Sequence, residues 1–152
     1  MKARDIMTQP VTSVNEETTL EEIARQLLDK HIGCVPVVDE QGKLSGIITE
    51  SDFAAKERGL PFSTFHAPQV LGQWLPGDSL ERIYQAARSR KAREIMNHHV
   101  VVVREDDSIE DIVSLMLRND INRIPVVRDG VPVGIVARHD LLALLLRDNS
   151  AG

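Results

Sequence analysis

The apolar positions of the chain fall into two matching series with a different kind of sequence between them. In the first series, Leu20, Ile23, Ala24, Leu27 and Leu28 recur at helical spacing and form one stripe. Thr19-Leu20-Glu21-Glu22 stands at its start, with an N-cap hydroxyl and a carboxylate three residues on. A short apolar run from Val11 to Val14 precedes this helix and predicts a strand. After it, Val35–Val38 and Leu44–Thr49 are β-branched runs joined through Gly42, which predict two paired strands. A last helix is expected from about Ser51-Asp52. The second series repeats this order. Val100 to Val103 is the short strand, and Ser108-Ile109-Glu110-Asp111 is the capped start. Ile109, Ile112, Val113, Met116 and Leu117 form the stripe, and a last helix is expected from His139-Asp140. Gly33 and Asn122 stand where a left-handed helix stop is expected. The order in each half is β-α-β-β-α.

The two halves are also alike residue by residue. Lys2-Ala3-Arg4-Asp5-Ile6-Met7 returns as Lys91-Ala92-Arg93-Glu94-Ile95-Met96, and holding that offset from 2 to 38 gives 15 identities in 37 positions. After one deletion, Gly42, Gly46, Ile47 and Asp52 match Gly130, Gly134, Ile135 and Asp140. One copy of this size makes a marginal core alone, so the duplication implies pseudo-twofold packing of the two. The fold class is therefore α/β, two β-α-β-β-α repeats, each a small sheet packed against two helices. The expected division is repeat one over 1–57, an irregular segment plus a helix over 58–90, repeat two over 91–148, and a disordered tail over 149–152. The middle segment holds Gly59, Pro61, Pro68, Gly72, Pro76 and Gly77 and is expected to be irregular. Asp78-Ser79-Leu80-Glu81 then starts a helix running to about Arg90. The aromatic residues Phe53, Phe62, Phe65, Trp74 and Tyr84 all lie between positions 53 and 84; they suit a docking arm for a partner, and the favoured expectation is that they pack on the two halves.

Composition narrows the function classes. The 152 residues are 42% hydrophobic, enough for a sizeable core, and 27% charged. The net charge of -5 counts against a nucleic-acid backbone binder, which needs a basic footprint. Cys34 is the single cysteine, which favours a reducing, cytoplasmic compartment. The longest apolar run, Leu141–Leu146, is too short to cross a bilayer, and no signal peptide is visible at the start. Leu141, Leu142, Leu144, Leu145 and Leu146 cover more than one helix face and call for burial on several sides, which predicts a homodimer.

Two acids keep their identity inside otherwise apolar repeats. Asp52 and Asp140 each follow a strand and stand at a helix start. An acid there caps the helix. The same carboxylate is also suited to accept hydrogen bonds from a ribose diol, while the free amides of the junction suit a phosphate. Thr49 adds a hydroxyl three residues before Asp52, but the second copy has Ala137 there, so the two sites are not equivalent. Other constellations are weaker. His98 and His99 are adjacent on an extended segment and point apart, so no metal site is expected. Glu105-Asp106-Asp107 with Glu110 and Asp111 suits a helix N-terminus. No nucleophile and base are arranged for catalysis, so no enzyme is expected.

Gly46-Ile47-Ile48-Thr49-Glu50-Ser51-Asp52, with Val35-Pro36-Val37-Val38 and Ile6-Met7-Thr8 before it, resembles the cystathionine-β-synthase (CBS) domain. Ile95-Met96, Arg123-Ile124-Pro125-Val126-Val127 and Gly134 to Asp140 resemble it again, and two in tandem resemble a Bateman module. The resemblance implies a regulatory sensor, without catalysis of its own, that binds an adenosine-containing ligand in clefts between the repeats. AMP, ADP or ATP is favoured, with Mg²⁺ entering only with the nucleotide. S-adenosylmethionine, NAD, a cyclic dinucleotide and nucleic acid are the alternatives. Carried over residue by residue, it implies ribose contacts from Thr49, Asp52 and Asp140, and phosphate contacts from Arg123, Arg138 and His139. It further implies an adenine pocket of Ile6, Val11, Thr12, Val35, Ile95, Val100, Val101 and Ile124. The copy-one counterpart of Arg123 is Cys34, which cannot carry its charge. The ordinary alternative for Arg123 is a surface ion pair. The signal would pass through a dimer rearrangement or a regulated protein that the sequence does not name.

Overall fold

In the computed structural model of the chain, residues 1–53, 55–56, 60–61, 69–70, 73–74 and 78–146 are described. The first half runs α1 (Ala3–Ile6), β1 (Val14–Asn15), α2 (Leu20–Asp29), β2 (Cys34–Val38), β3 (Leu44–Thr49) and a 3₁₀ turn over Glu50–Phe53. Four two-residue strands follow, β4 (Ala55–Lys56), β5 (Leu60–Pro61), β6 (Gln69–Val70) and β7 (Gln73–Trp74), and then α3 (Asp78–Ala87). The second half runs α4 (Ala92–Ile95), β8 (Val103–Arg104), α5 (Ile109–Asn119), β9 (Arg123–Arg128), β10 (Val131–Ala137) and a 3₁₀ segment over Arg138–Leu146. Each half carries one three-stranded sheet. β1 runs parallel to β2 and β2 antiparallel to β3, with Val14 opposite Val37 and Cys34 opposite Thr49. β8, β9 and β10 repeat the arrangement, with Val103 opposite Val126 and Arg123 opposite Ala137.

Local chemistry explains the elements. The Thr19 hydroxyl accepts the Glu22 N–H at 3.3 Å, and the Ser108 hydroxyl accepts the Asp111 N–H at 3.2 Å, which are the expected N-caps. Asp129 (φ 52°) and Gly130 (φ 80°) make the two-residue turn between β9 and β10, as a hairpin of right-handed twist requires. Several boundaries differ from the sequence reading. The first strands start at Val14 and Val103, because the residues before them leave the ladder to line the clefts described below. The left-handed positions after α2 and α5 are His31 (φ 52°) and Asp120 (φ 51°), not Gly33 and Asn122. The expected last helices are 3₁₀ segments. Phe62, Phe65 and the 149–152 tail lie outside the described residues.

The stripes are also narrower than the pattern suggests. Leu20, Ile23 and Leu27 of α2, and Ile109, Ile112 and Met116 of α5, are buried. Leu28 and Leu117 are 74% and 72% exposed, because a three-stranded sheet is not wide enough to cover that edge of the helix.

The repeats exchange their first segments. Ala3 is buried in the second core with Val103, Ile112, Ile124 and Val136, and Ile6 and Met7 pack against that core. Conversely, Ala92 and Met96 are buried in the first core with Ile23, Val35, Val37 and Ile48. The Thr8 N–H donates to the Ile135 carbonyl at 2.8 Å and Ile135 returns the bond at 3.2 Å. Asn97 and Ile47 make the matching pair at 2.9 and 3.1 Å. Charges follow the same symmetry. Lys91 and Arg93 pair with Glu17, while Lys2 and Arg4 pair with Asp106. The hydrogen bond from Lys91, with Arg93 beside it, holds Glu17 below the usual carboxylate range. Between the halves, α3 buries Ala87 in the first core, and the Tyr84 hydroxyl donates to the Phe53 carbonyl.

Candidate ligand clefts

The exchange leaves a cleft at each place where the end of one repeat's last strand faces the segment before the other repeat's first strand. The first cleft, about 240 Å³, is lined by Ile47, Thr49, Ser51 and Asp52 of repeat one and by Asn97, His99, Val100, Val101 and Asp120–Arg123 of repeat two. The second, about 310 Å³, is lined by Ile135, Ala137, His139 and Asp140 of repeat two and by Thr8, Pro10, Val11, Thr12 and His31–Cys34 of repeat one. Under the sequence offsets the two linings correspond position by position. The second lies at the lower end of the range of small-molecule sites, ~300–1,000 Å³, and the first is somewhat smaller.

The two aspartates take the same pose. Asp52 Oδ2 accepts the Thr49 N–H at 2.8 Å and the Thr49 hydroxyl at 3.3 Å, and Thr49 Oγ1 lies 2.7 Å from Ser51 Oγ. Asp140 Oδ2 accepts the Ala137 N–H at 2.7 Å, and the Thr8 hydroxyl donates to its Oδ1 at 3.4 Å. Capping and ligand binding are thus compatible here. The bond to the strand-end amide fixes each carboxylate on a cleft wall, where a diol could reach it.

Arg123 stands between the clefts and lines both. Its Nη2 lies 3.3 Å from Glu50 Oε1, so the surface ion pair exists as well. The guanidinium rests on Gly33 so closely that a Cβ there would come 2.1 Å from Nη2. Gly33 is therefore a glycine for close approach, and sequence reading, which gave it a helix-stop role, missed this. Cys34, which lines the same cleft as this guanidinium, is buried. Burial pushes its thiol up to about 11, against a downward pull from Arg123 and with a further push from Glu50.

The other expected site residues divide clearly. Val11, Thr12 and His139 line the Asp140 cleft, and Val100 and Val101 line the Asp52 cleft. Val35 and Ile124 do not line either. Both are 0% exposed, because their alternating strand positions turn them into the cores. Ile6 and Ile95 pack against the cores through the exchanged segments and also stand outside the linings. Arg138 is exposed and absent from both linings, and its N–H donates to the Asn122 carbonyl at 2.8 Å. The residues missed were mainly Asn97, His99, Asp120 and Asn122 in one cleft and Thr8, Pro10 and His31 in the other. The 89-residue offset relates most of them and could have found them once one cleft was placed. Among the described residues, no three His, Cys, Asp or Glu side chains cluster to hold a metal.

Comparison with known proteins gives this geometry a family. The CBS domain model matches residues 3–58 and again 92–147. The chain belongs to the CBS domain family. Like other CBS pairs, it joins two repeats in one α/β unit. It is 33% identical to the protein MJ1426 of Methanocaldococcus jannaschii over 157 residues, covering 96% of this chain and 92% of that one. Among solved structures it is similar to the CBS domain of a CBS domain-containing membrane protein from Sphaerobacter thermophilus. That match has a TM-score of 0.72 and 45% identity over 97% of this chain and 89% of the other. It is also similar to the CBS domain pair of protein MJ0100, solved in complex with 5′-methylthioadenosine and S-adenosyl-L-methionine. There the TM-score is 0.69 and the identity 26%, over 95% of both chains. No helix among the described residues of the CBS pair is long and apolar enough to cross a membrane.

Proposed function

We propose that this CBS pair is a regulatory module that binds an adenosine-containing ligand in its inter-repeat clefts, with AMP, ADP or ATP the favoured occupants. The observation that carries this reading is the matched pair of carboxylates, Asp52 and Asp140, each fixed by a strand-end amide on the wall of its cleft. A ribose offers two vicinal hydroxyl donors to such an acceptor. Val100 with Val101, and Val11 with Thr12, offer the apolar and backbone wall for the base, and Arg123 offers the phosphate contact. The adenosine compounds bound by the similar MJ0100 pair support the ligand class. The module itself carries no catalytic step in this reading. Its output passes through a second copy or a regulated protein.

The test is calorimetric titration with AMP, ADP, ATP and S-adenosylmethionine, together with thermal unfolding. A ligand at a hundredfold excess over Kd is expected to stabilise the fold by about 2.7 kcal/mol. Asp52→Asn with Asp140→Asn keeps an acceptor for each capping amide but removes the charge. The double variant is expected to unfold near the wild-type temperature and to lose ligand affinity at least tenfold, about 1.4 kcal/mol. Full affinity in that folded variant would refute the ribose assignment.

A further inference from the structure

Resting on the adenosine reading above, we infer that the two clefts compete for one guanidinium, so that anionic ligands bind them with negative coupling and the Asp140 cleft fills first. Among the residues lining the clefts, Arg123 is the single arginine or lysine, and it lines both. Arg123 carries a single positive charge, so it cannot neutralise a phosphate in each cleft at the same time. A phosphate that takes the guanidinium in one cleft therefore deprives the other cleft of its cation.

The surroundings set the order. Arg123 rests on the backbone of Gly33, on the Asp140 side. That cleft also contains His31 and His139, and Lys30 Nζ lies at its edge, 3.3 Å from Thr12 Oγ1. The Asp52 cleft holds a second acid, Asp120, whereas Asp140 is the one acid among the residues lining the other cleft. With Arg123 drawn away, the Asp52 cleft presents a net acidic lining with His99 as its basic group. It then suits a neutral adenosine better than a nucleotide.

Gly33 gives a clean handle on this arrangement. The three atoms a methyl group there would meet first all belong to the far end of the flexible Arg123 side chain, so Gly33→Ala is expected to displace the guanidinium. The experiment titrates the intact protein with AMP and, separately, with adenosine, in the wild type and in Gly33→Ala. Asp52→Asn and Asp140→Asn identify the clefts. Wild type is expected to bind AMP in two phases at least about tenfold apart, the tight one lost in Asp140→Asn. Adenosine is expected to show no such split. Gly33→Ala is expected to weaken the tight AMP phase about tenfold or more beyond any change in adenosine affinity, with thermal unfolding near wild type. Two equal, independent AMP sites would overturn the coupling while leaving the adenosine reading intact, as would a split of the same size with adenosine. An equal loss of AMP and adenosine affinity in Gly33→Ala would also overturn it. Failure of both compounds to bind the wild type would overturn the adenosine reading and this inference together.

Discussion

Cys34 and Arg123 hold the same position in the two repeats, and the difference between them makes the clefts unequal. A pair of arginines would have given each cleft its own cation. A buried thiol in place of a second arginine leaves the charge of Arg123 to be shared. The thiol itself is chemically quiet, because desolvation disfavours the thiolate more than Arg123 favours it. With its value near 11, only about one thiol in a thousand is ionised at pH 8. Iodoacetamide at that pH is therefore expected to alkylate Cys34 far more slowly in the native protein than in denaturant, as read by mass spectrometry. Equal rates would show that the cysteine is not buried as described. At this scale the sequence showed that Asp52, Asp140 and Thr49 stand at strand-to-turn junctions, because their polarity interrupts an apolar repeat. It was not readable for Gly33, whose role depends on a side chain 90 residues away, or for Arg138, whose charge alone did not say that it faces outward.

The elements that decide the assembly are the shortest ones. α1 and α4 are single turns, yet each buries an alanine in the other repeat's core. Glycines on the receiving strands make room. A Cβ at Gly46 of β3 would stand 2.6 Å from Met96 Sδ and 3.0 Å from the Asn97 carbonyl oxygen, and one at Gly134 of β10 would stand 2.6 Å from Met7 Sδ. The methionines can move, but the Asn97 carbonyl belongs to backbone paired with Ile47. Gly46→Ala is therefore expected to destabilise the protein by about 1–3 kcal/mol in urea unfolding, and Gly134→Ala by less. No loss in Gly46→Ala would mean that the segment after α4 is not seated tightly on β3. The helices and hairpins were legible from periodicity and turn chemistry. The exchange was not, because Lys-Ala-Arg-Asp-Ile-Met fits the start of either repeat equally well and only packing selects the partner.

At the scale of the whole molecule, the repeats cover each other's cores but leave a matched pair of leucines outside. Leu28 and Leu117 are equivalent under the repeat and are both more than two-thirds exposed. Leu142, Leu145 and Leu146 of the final 3₁₀ segment are exposed as well, while Leu141 and Leu144 pack on the second core. Large exposed apolar residues at symmetry-related positions suit a self-complementary twofold contact. We therefore propose a homodimer that covers α2 and α5. Sedimentation velocity is expected to give a dimer for the wild type and a folded monomer for Leu28→Lys with Leu117→Lys, since exposed helix positions otherwise tolerate change within about 0.5 kcal/mol. A wild-type monomer at high micromolar concentration would refute it.

The sequence by itself determined what is local or repeated: the α/β class, the duplication, the capped helices, the hairpins and the two aspartates at strand ends. Each of these depends on spacing within a few residues, or on likeness between two copies that can be aligned without a structure. Only the tertiary structure decided which repeat each opening segment joins, which apolar residues face a core rather than a cleft, and that both clefts meet at one arginine. Those outcomes depend on distances between residues far apart in the chain. Close packing sets such distances, and hydrophobicity and charge along the sequence do not encode them one residue at a time.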